Sequence, residues 1–224
     1  GRIYFYTAYY LGGCHAMNGN LGLAILEYQK ALAIDPSSKE VYHKLGQLYM
    51  SRKEYEKAVE AFDKANALPS RPIGEGMPSE VEAEYEEDAA QAYCELGIAY
   101  LYQQKFSESE AAFKKAIELR AELPEAYANL ALALSKQGKG SEAIPMYQKA
   151  LELNPLQMEA LTNLGHLYRN IGVLEEAKQM FKKALELKPH LLDVHLGLAS
   201  IDAQTKDTFS LLERCKEISE LHPE

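Results

Sequence analysis

Small, aromatic and polar positions alternate along this chain in a pattern that returns every 34 residues, or at a multiple of 34 plus one insertion. One column of the pattern holds a small residue, and the column four residues later holds an aromatic one. The small residues are Ala24, Ala58, Ser109, Ala143 and Ala177, and the aromatic residues are Tyr28, Phe62, Phe113, Tyr147 and Phe181. A spacing of four places both columns on one face of a helix. The pattern therefore predicts a chain of repeated helix pairs.

A second column lies in the first helix of each predicted pair, where a leucine precedes glycine or alanine. These pairs are Leu11-Gly12, Leu45-Gly46, Leu96-Gly97, Leu130-Ala131 and Leu164-Gly165. Minimal side chains let neighbouring helix backbones approach closely. One unit resembles the tetratricopeptide repeat pattern nearly completely, through Tyr42, Leu45, Gly46, Tyr49, Ala58, Phe62 and Ala65. The resemblance extends over about six units and almost the whole chain.

The resemblance implies an all-α protein in which antiparallel helix pairs stack into a right-handed superhelical solenoid. We expect one continuous domain, 1–224, with a single insertion before the third repeat. The predicted repeats are 5–38, 39–72, 90–123, 124–157, 158–191 and 192–224, and the insertion is 73–89.

The insertion divides into a loop and a helix. Prolines and glycines between Pro69 and Pro78 predict a loop. Ser79 and Glu82 fit a capping box, so the first helix of the third unit is expected to run from about Ser79 to about Tyr102. The segment is either a tolerated surface insertion with a solvated acidic face or a contact site for a partner.

The two ends of the chain depart from the repeat. The last unit has Leu211 in the small column and Cys215 in the aromatic column, which is typical of a terminal cap with a polar outer face. Residues 3–17 contain no formally charged residue, and a helix that is apolar on all sides is normally buried. Either a preceding segment packs on it, or it contacts another subunit, or its tyrosine hydroxyls suffice to solvate it.

Composition narrows the possible partners and compartments. The net charge of −9 disfavours nucleic-acid binding, and no apolar run is long enough to span a bilayer. Cys14, Cys94 and Cys215 lie in three different units and predict free thiols. We expect a cytoplasmic protein, or a periplasmic or lipid-anchored one if a leader was removed before Gly1.

The sequence contains no convincing catalytic or metal-binding constellation. His190 and His195 are five residues apart without an HExxH pattern, and the chain has no cysteine pairs. Cys14 and His15 are adjacent, so on a helix they do not face each other. We therefore expect no cofactor, no metal and no enzymatic activity.

The resemblance also implies where a ligand binds, because first helices line the concave face of a tetratricopeptide solenoid and hold peptide segments of partner proteins. The peptide-groove residues predicted in this way are Tyr6, Tyr9, His43, Gln47, Met50, Cys94, Ile98, Leu101, Asn129, Leu132, Asn163, His166 and Arg169. Asn129 and Asn163 occupy equivalent places one unit apart. They resemble the asparagine ladder by which some members of the family hold a peptide backbone, although asparagines at exposed helical positions are also commonly just solvated.

Three functions are consistent with these observations. The first is a protein-interaction scaffold that binds a peptide of a partner, within a multiprotein assembly. The second is a structural subunit that self-associates through its apolar first helix, with Tyr6, Tyr9 and Tyr10 at the contact. The third is a pilotin-type or secretion-assembly lipoprotein, which depends on the number of units alone.

Overall fold

The computed structural model describes the backbone of residues 2–68 and 79–221 and the side chains of residues 3–68 and 89–220. Within these ranges it contains twelve α-helices. They are α1 (Arg2–Met17), α2 (Leu21–Ile34), α3 (Lys39–Ser51), α4 (Tyr55–Ala67), α5 (Ser79–Tyr102), α6 (Phe106–Leu119), α7 (Pro124–Lys136), α8 (Gly140–Leu153), α9 (Met158–Asn170), α10 (Leu174–Leu187), α11 (Leu192–Gln204) and α12 (Thr208–Leu221).

Each odd-numbered helix packs on the even-numbered helix that follows it, so the predicted helix pairs are present. The all-α architecture of helix hairpins is thereby confirmed. None of the helices in the described ranges is both long and apolar enough to cross a membrane.

The hairpins group into two compact units, unit 1 at Gly1–Ala121 and unit 2 at Glu122–Glu224. Unit 1 contains α1 to α6 and unit 2 contains α7 to α12. Within a unit, successive hairpins pack on each other, and the first helices α7 and α9, and α9 and α11, are neighbours in unit 2. The single continuous domain remains a prediction.

The turn inside each hairpin has one residue in the left-handed conformation, with φ between 58° and 81°. Glycine occupies this place in three hairpins, and a polar residue occupies it in the others. The residues are Gly19, Lys53, Gln104, Gly138, Gly172 and Lys206. A left-handed residue after the last turn lets the following amides bond back to the helix carbonyls, which ends the helix. For example, the Glu54 amide donates to the Tyr49 carbonyl at 2.9 Å.

The small and aromatic columns form the core of each hairpin. The five small residues are fully buried, and the five aromatic side chains are at most 3% exposed. In the third hairpin, the hydroxyl of Ser109 donates to the Gly97 carbonyl at 2.8 Å, so its polar atom is satisfied. In several hairpins the aromatic ring lies against a glycine of the first helix. Because glycine has no side chain, the two helix backbones can lie close together.

Helix α5 begins at Ser79 and ends at Tyr102, as the capping signal predicts. It is the longest of the described helices, with 24 residues. The predicted loop at 69–78 and the side chains of the acidic stretch at 81–88 lie outside the described residues.

Large apolar side chains are exposed on the first and last of the described helices. On α1, Ile3, Tyr4 and Tyr10 are exposed, so the described chain does not bury this helix on all sides. On α12, Phe209 and Leu212 are exposed, so apolar side chains interrupt the polar outer face that the sequence predicts for the last unit. Apolar positions that the repeat normally covers are therefore accessible at both ends.

Candidate functional site

The predicted groove residues lie on first helices, which divide between the two units. Unit 1 contributes residues from α1, α3 and α5, and unit 2 contributes residues from α7 and α9. We call the surface formed by these helices the first-helix face of each unit. The division matters because the two faces differ in how their polar side chains are engaged.

In unit 1, the polar groove residues His43 and Gln47 both contact Glu95 on α5. His43 Nε2 lies 3.0 Å from Glu95 Oε2, and Gln47 Nε2 donates to Glu95 Oε1 at 3.1 Å. Burial raises the pKa of Glu95, but His43, Gln47 and Gln91 stabilise its charged form more strongly, so the pKa falls below its ordinary value. This cluster therefore stabilises unit 1 above the ordinary carboxyl pKa and loses that effect as the pH falls through the lowered pKa.

The tyrosines of α1 divide into one packed ring and two exposed ones. The ring of Tyr9 packs against that of Tyr28 at a tilt, with ring centroids 5.9 Å apart, and its hydroxyl donates to Glu40. Burial, followed by the hydrogen bond and charge of Glu40, raises the pKa of Tyr9. Tyr6 and Tyr10 are exposed and stack on each other at 6.2 Å. Tyr9 therefore contributes to packing between hairpins, whereas Tyr6 and Tyr10 offer free surface.

The apolar groove residues of unit 1 offer little accessible surface. Cys94 is only 6% exposed. Met50 packs against the apolar cluster between α4 and α5. Ile98 and Leu101 are half-buried. Sequence alone assigned these residues to the correct helices but could not determine their depth.

In unit 2, Asn129 and Asn163 lie half-buried on the adjacent helices α7 and α9. Asn163 and Ser135 lie near the hydroxyl of the buried Tyr147, which makes no hydrogen bond within the described residues. Burial raises the pKa of Tyr147 to about 12, although these two polar neighbours act in the opposite direction. One asparagine of the predicted ladder therefore also has a neighbour within the fold.

Replacing Tyr147 by phenylalanine is expected to leave stability near neutral pH within about 1 kcal/mol of the parent, because phenylalanine fills this column in three other hairpins. The raised pKa means that the stabilisation is complete below a phenol's ordinary pKa of 10.0 and is lost as the pH rises through about 12. The difference corresponds to about 2–3 kcal/mol. About half of this loss is present at about pH 11, midway between the two pKa values, and urea denaturation near neutral pH and at that pH measures it.

The exposed Tyr4 provides the control for that experiment, since Tyr4→Phe should lose as much stability at alkaline pH as the parent does. Tyr147→Phe should lose less. Equal losses of stability at alkaline pH in the parent and both variants would show that the buried hydroxyl of Tyr147 is not the cause of the loss.

The remaining groove residues of unit 2 lie near the same face. His166 Nε2 is 2.6 Å from Asp193 Oδ2 on α11, and its ring meets Phe181 edge-on at 4.9 Å. Arg169 makes a long contact of 3.4 Å from Nη2 to Asn170 Oδ1. Leu132 is half-buried. The sequence analysis missed Leu196 on α11, which is exposed although its equivalents His43, Cys94 and Ala128 are not.

In the described part of the chain, no group of three or more His, Cys, Asp or Glu side chains is placed to hold a metal ion. Cys14 and Cys215 are exposed and Cys94 is buried, and none of these three described cysteines is in a disulfide.

Residues 1–217 match the family model described as the cilia and flagella-associated protein 70 C-terminal domain. A comparison with curated protein sequences finds no match.

Several solved structures are similar to this chain. A crystal structure of MamA is 28% identical, with a TM-score of 0.69 over 80% of this chain and 95% of that one. YrrB, described as a TPR protein with an unusual peptide-binding site, is 25% identical, with a TM-score of 0.66 over 88% of this chain and 93% of that one. PilF of Pseudomonas aeruginosa has a TM-score of 0.74 over 99% of this chain and 93% of its own, but at 20% identity it shows the fold alone. These comparisons confirm the tetratricopeptide fold.

Proposed function

The chain belongs to the family of the cilia and flagella-associated protein 70 C-terminal domain, and we propose that it is a non-enzymatic scaffold that binds an extended peptide segment of a partner protein. The likeness to YrrB, a TPR protein with a peptide-binding site, supports the general role of a protein-interaction scaffold. Within the chain, the peptide binds on the first-helix face of unit 2.

The observation that carries the proposal is the placement of Asn129 and Asn163 in one column on neighbouring helices. Packed helices lie about 8–10 Å apart, and an extended chain rises about 3.3 Å per residue. The two asparagines are therefore separated by about three residues of an extended peptide. A peptide that crosses α7 and α9 meets one carboxamide at every third residue.

A carboxamide is suited to this contact because it donates and accepts hydrogen bonds at the same time. It pairs with the N–H and the C=O of one peptide residue and reads the backbone rather than the side chain.

Side chains around the asparagines select the sequence of the peptide. Lys136 and Arg169 lie in the last turns of α7 and α9, so an acidic residue is favoured at that end. Leu132 and the exposed Leu196 favour an apolar residue nearby. The preferred ligand is therefore an extended segment that combines an acidic residue with an apolar one.

The state of unit 1 supports the choice of unit 2. His43 and Gln47 already satisfy Glu95, and a ligand that displaced them would leave a half-buried carboxylate with fewer partners. Breaking such a contact costs free energy that the ligand must offset.

The test uses peptides selected from a random-peptide display library against the whole chain, with affinities measured by fluorescence polarisation. Asn129→Ala and Asn163→Ala are each expected to weaken binding about tenfold, because each removes two backbone hydrogen bonds. Arg169→Ala should weaken only those peptides that contain an acidic residue.

Two control variants keep the test specific. Gln179→Ala removes a carboxamide from the exposed side of α10, and Gln47→Ala removes one from unit 1. Both should bind as the parent does, and circular dichroism should show unchanged helix content in all variants. Selected peptides that bind the Asn129/Asn163 double variant with parental affinity would overturn the proposal.

A further inference from the structure

One column of the first helices contacts a carboxylate in both units. In unit 1 the residue in this column is Gln47 on α3, and its Nε2 donates to Glu95 Oε1 on the following first helix at 3.1 Å. In unit 2 the equivalent residue is His166 on α9, and its Nε2 lies 2.6 Å from Asp193 Oδ2 on the following first helix. We call the place of Gln47 and His166 the carboxylate-binding position.

The two carboxylates differ in how firmly the fold holds them. The side chain of Glu95 is 19% exposed, and His43 Nε2 lies 3.0 Å from its second oxygen. The side chain of Asp193 is 70% exposed. A contact made by a largely exposed charge contributes little to stability. Asp193 is therefore displaced from His166 at a low cost in free energy, whereas displacing Glu95 would leave a half-buried charge without its partners.

The origin of this difference lies in the sequence of α11. The residue in the column of Glu95 is Gly197, which has no carboxylate, and Asp193 supplies one from the preceding turn. Other first helices also have an acidic residue in the column of Asp193, where it lies in the first turn: Glu40, Glu125 and Glu159. An acidic residue in the first turn suits the helix dipole. Its position at the start of α11 therefore explains Asp193 without any need for a partner on α9.

The imidazole of His166, in contrast, is held in place by packing. Its ring meets Phe181 edge-on at 4.9 Å, and a Cβ built on Gly197 would lie 3.5 Å from its Cε1. Ile98 and Leu132 occupy the same column in other hairpins, so packing alone does not require a polar residue here. A donor whose side chain is already fixed loses little entropy when it binds a ligand.

A second cationic group lies one turn after His166 on α9. The Nη2 atom of Arg169 makes a long contact of 3.4 Å to Asn170 Oδ1, and a guanidinium forms stronger, paired hydrogen bonds with a carboxylate. Residues three apart on a helix are neighbours on its surface. His166 and Arg169 therefore both offer donors to a carboxylate that lies against this part of α9.

We propose that the first-helix face of unit 2 binds an acidic side chain of the peptide at His166, and that this carboxylate takes the place that Asp193 occupies in the free protein. The inference rests on the proposed function, because Asn163, one turn before His166, binds the backbone of the same peptide. A peptide with a carboxylate at this point restores the contact that Asp193 gives up, whereas a peptide with an amide leaves Asp193 in place. His166 thus determines specificity, and Asp193 is its internal competitor.

The test compares two forms of a peptide selected from the display library against the whole chain. One form has the selected Asp or Glu and the other has the matching amide, and both have blocked ends, so that a side chain supplies the carboxylate. Fluorescence polarisation gives the ratio of the two affinities, which we call the acid preference. The parent should prefer the acidic form about fivefold, because the acidic form gains hydrogen bonds to His166 and Arg169.

Three variants separate the roles of the two residues. Asp193→Asn should raise the acid preference a further two- to fivefold, because it removes the competitor. His166→Leu should lower the preference to about twofold, which is the part that Arg169 supplies. The double variant should behave as His166→Leu does, because Asp193 competes only at His166.

Glu159→Gln is the matched control, since it removes a charge from the column of Asp193 where the preceding first helix has Leu132 at the carboxylate-binding position. It should leave the acid preference unchanged. His166→Gln, which copies Gln47, should retain part of the preference and replaces His166→Leu if that variant loses helix content.

The contrary outcomes distinguish this inference from the proposed function. Peptides that depend on Asn129 and Asn163 but show no acid preference, or an Asp193→Asn variant with the parental preference, would overturn the inference alone. A gain from Asp193→Asn that persists in the double variant would also overturn it, because Asp193 would then act through its charge and not at His166. A library that yields no peptide dependent on Asn129 and Asn163 would overturn both.

Discussion

Replacing Lys178 by isoleucine is expected to destabilise the protein by about 3–5 kcal/mol, because it leaves a buried carboxylate without its partner. Lys178 Nζ lies 3.1 Å from Asp202 Oδ1, and the Asp202 side chain is only 4% exposed. Asp202 also lies in the last turns of α11, where the helix dipole disfavours a negative charge. Urea denaturation of the parent and the variant measures the loss.

The equivalent junctions of unit 1 indicate a second substitution that should restore the stability lost in Lys178→Ile. At the equivalent junctions of unit 1 the two columns hold Ile25 with Tyr49 and Val59 with Tyr100, and these residues pack in apolar clusters. The double variant Lys178→Ile/Asp202→Tyr should therefore recover to within about 1 kcal/mol of the parent or exceed its stability, since apolar residues often replace a buried ion pair without loss.

The exposed Lys183 on the same helix provides the control, and Lys183→Ile should change stability by less than about 0.5 kcal/mol. A Lys178→Ile variant as stable as this control would contradict the role of the ion pair. A double variant no more stable than Lys178→Ile alone would contradict the equivalence of the junctions.

Replacing Gly46 by alanine is expected to cost about 1–3 kcal/mol through overpacking. A Cβ built on Gly46 would lie 2.4 Å from a ring carbon of Phe62, and Phe62 is fully buried. The ring cannot turn away, so α3 and α4 must separate. Thermal or urea denaturation with circular dichroism detects the change.

Gly13→Ala is the matched control, because the nearest atom to its added Cβ would be the Tyr28 hydroxyl at an ordinary 3.7 Å. Both glycines lie inside first helices, and alanine has the higher helix propensity. Gly13→Ala should therefore stabilise the protein by about 0.5–1 kcal/mol, opposite in sign to Gly46→Ala. Effects of the same sign would show that propensity rather than ring contact decides both positions.

Columns in the sequence were sufficient to predict the hairpins. Ala24 and Tyr28 recur with their equivalents at fixed spacing, and local spacing determines which residues share a helix face. The start of α5 at Ser79 was predictable for the same reason, since a capping signal is local.

The contacts on the first-helix faces could not be predicted in this way. His43 and Glu95 are 52 positions apart in the sequence and lie on different helices. Their pairing depends on the side-chain conformations that both adopt once the helices have packed. The burial of Cys94 depends on how closely its hairpin packs on its neighbours. A repeat pattern specifies the column of a residue but not the depth at which its side chain lies.

The ion pair of Lys178 and Asp202 illustrates the same limit. Each is a charged residue in a column that holds apolar or aromatic residues at the hairpin junctions of unit 1. Neither substitution alone indicates that the other residue is its partner. Only the packing of α10 on α11 brings them within 3.1 Å and shows that the two charges compensate each other.

The most direct test of peptide binding at unit 2 is NMR of the protein labelled with ¹⁵N at its asparagines, titrated with a peptide selected from the library. The chain has seven asparagines, so each side-chain amide can be assigned by single substitution. We predict that the amide signals of Asn129 and Asn163 shift on binding, while those of Asn18 and Asn20 in unit 1 do not. A bound peptide that leaves both Asn129 and Asn163 unshifted, or that shifts Asn18 and Asn20 instead, would contradict the account.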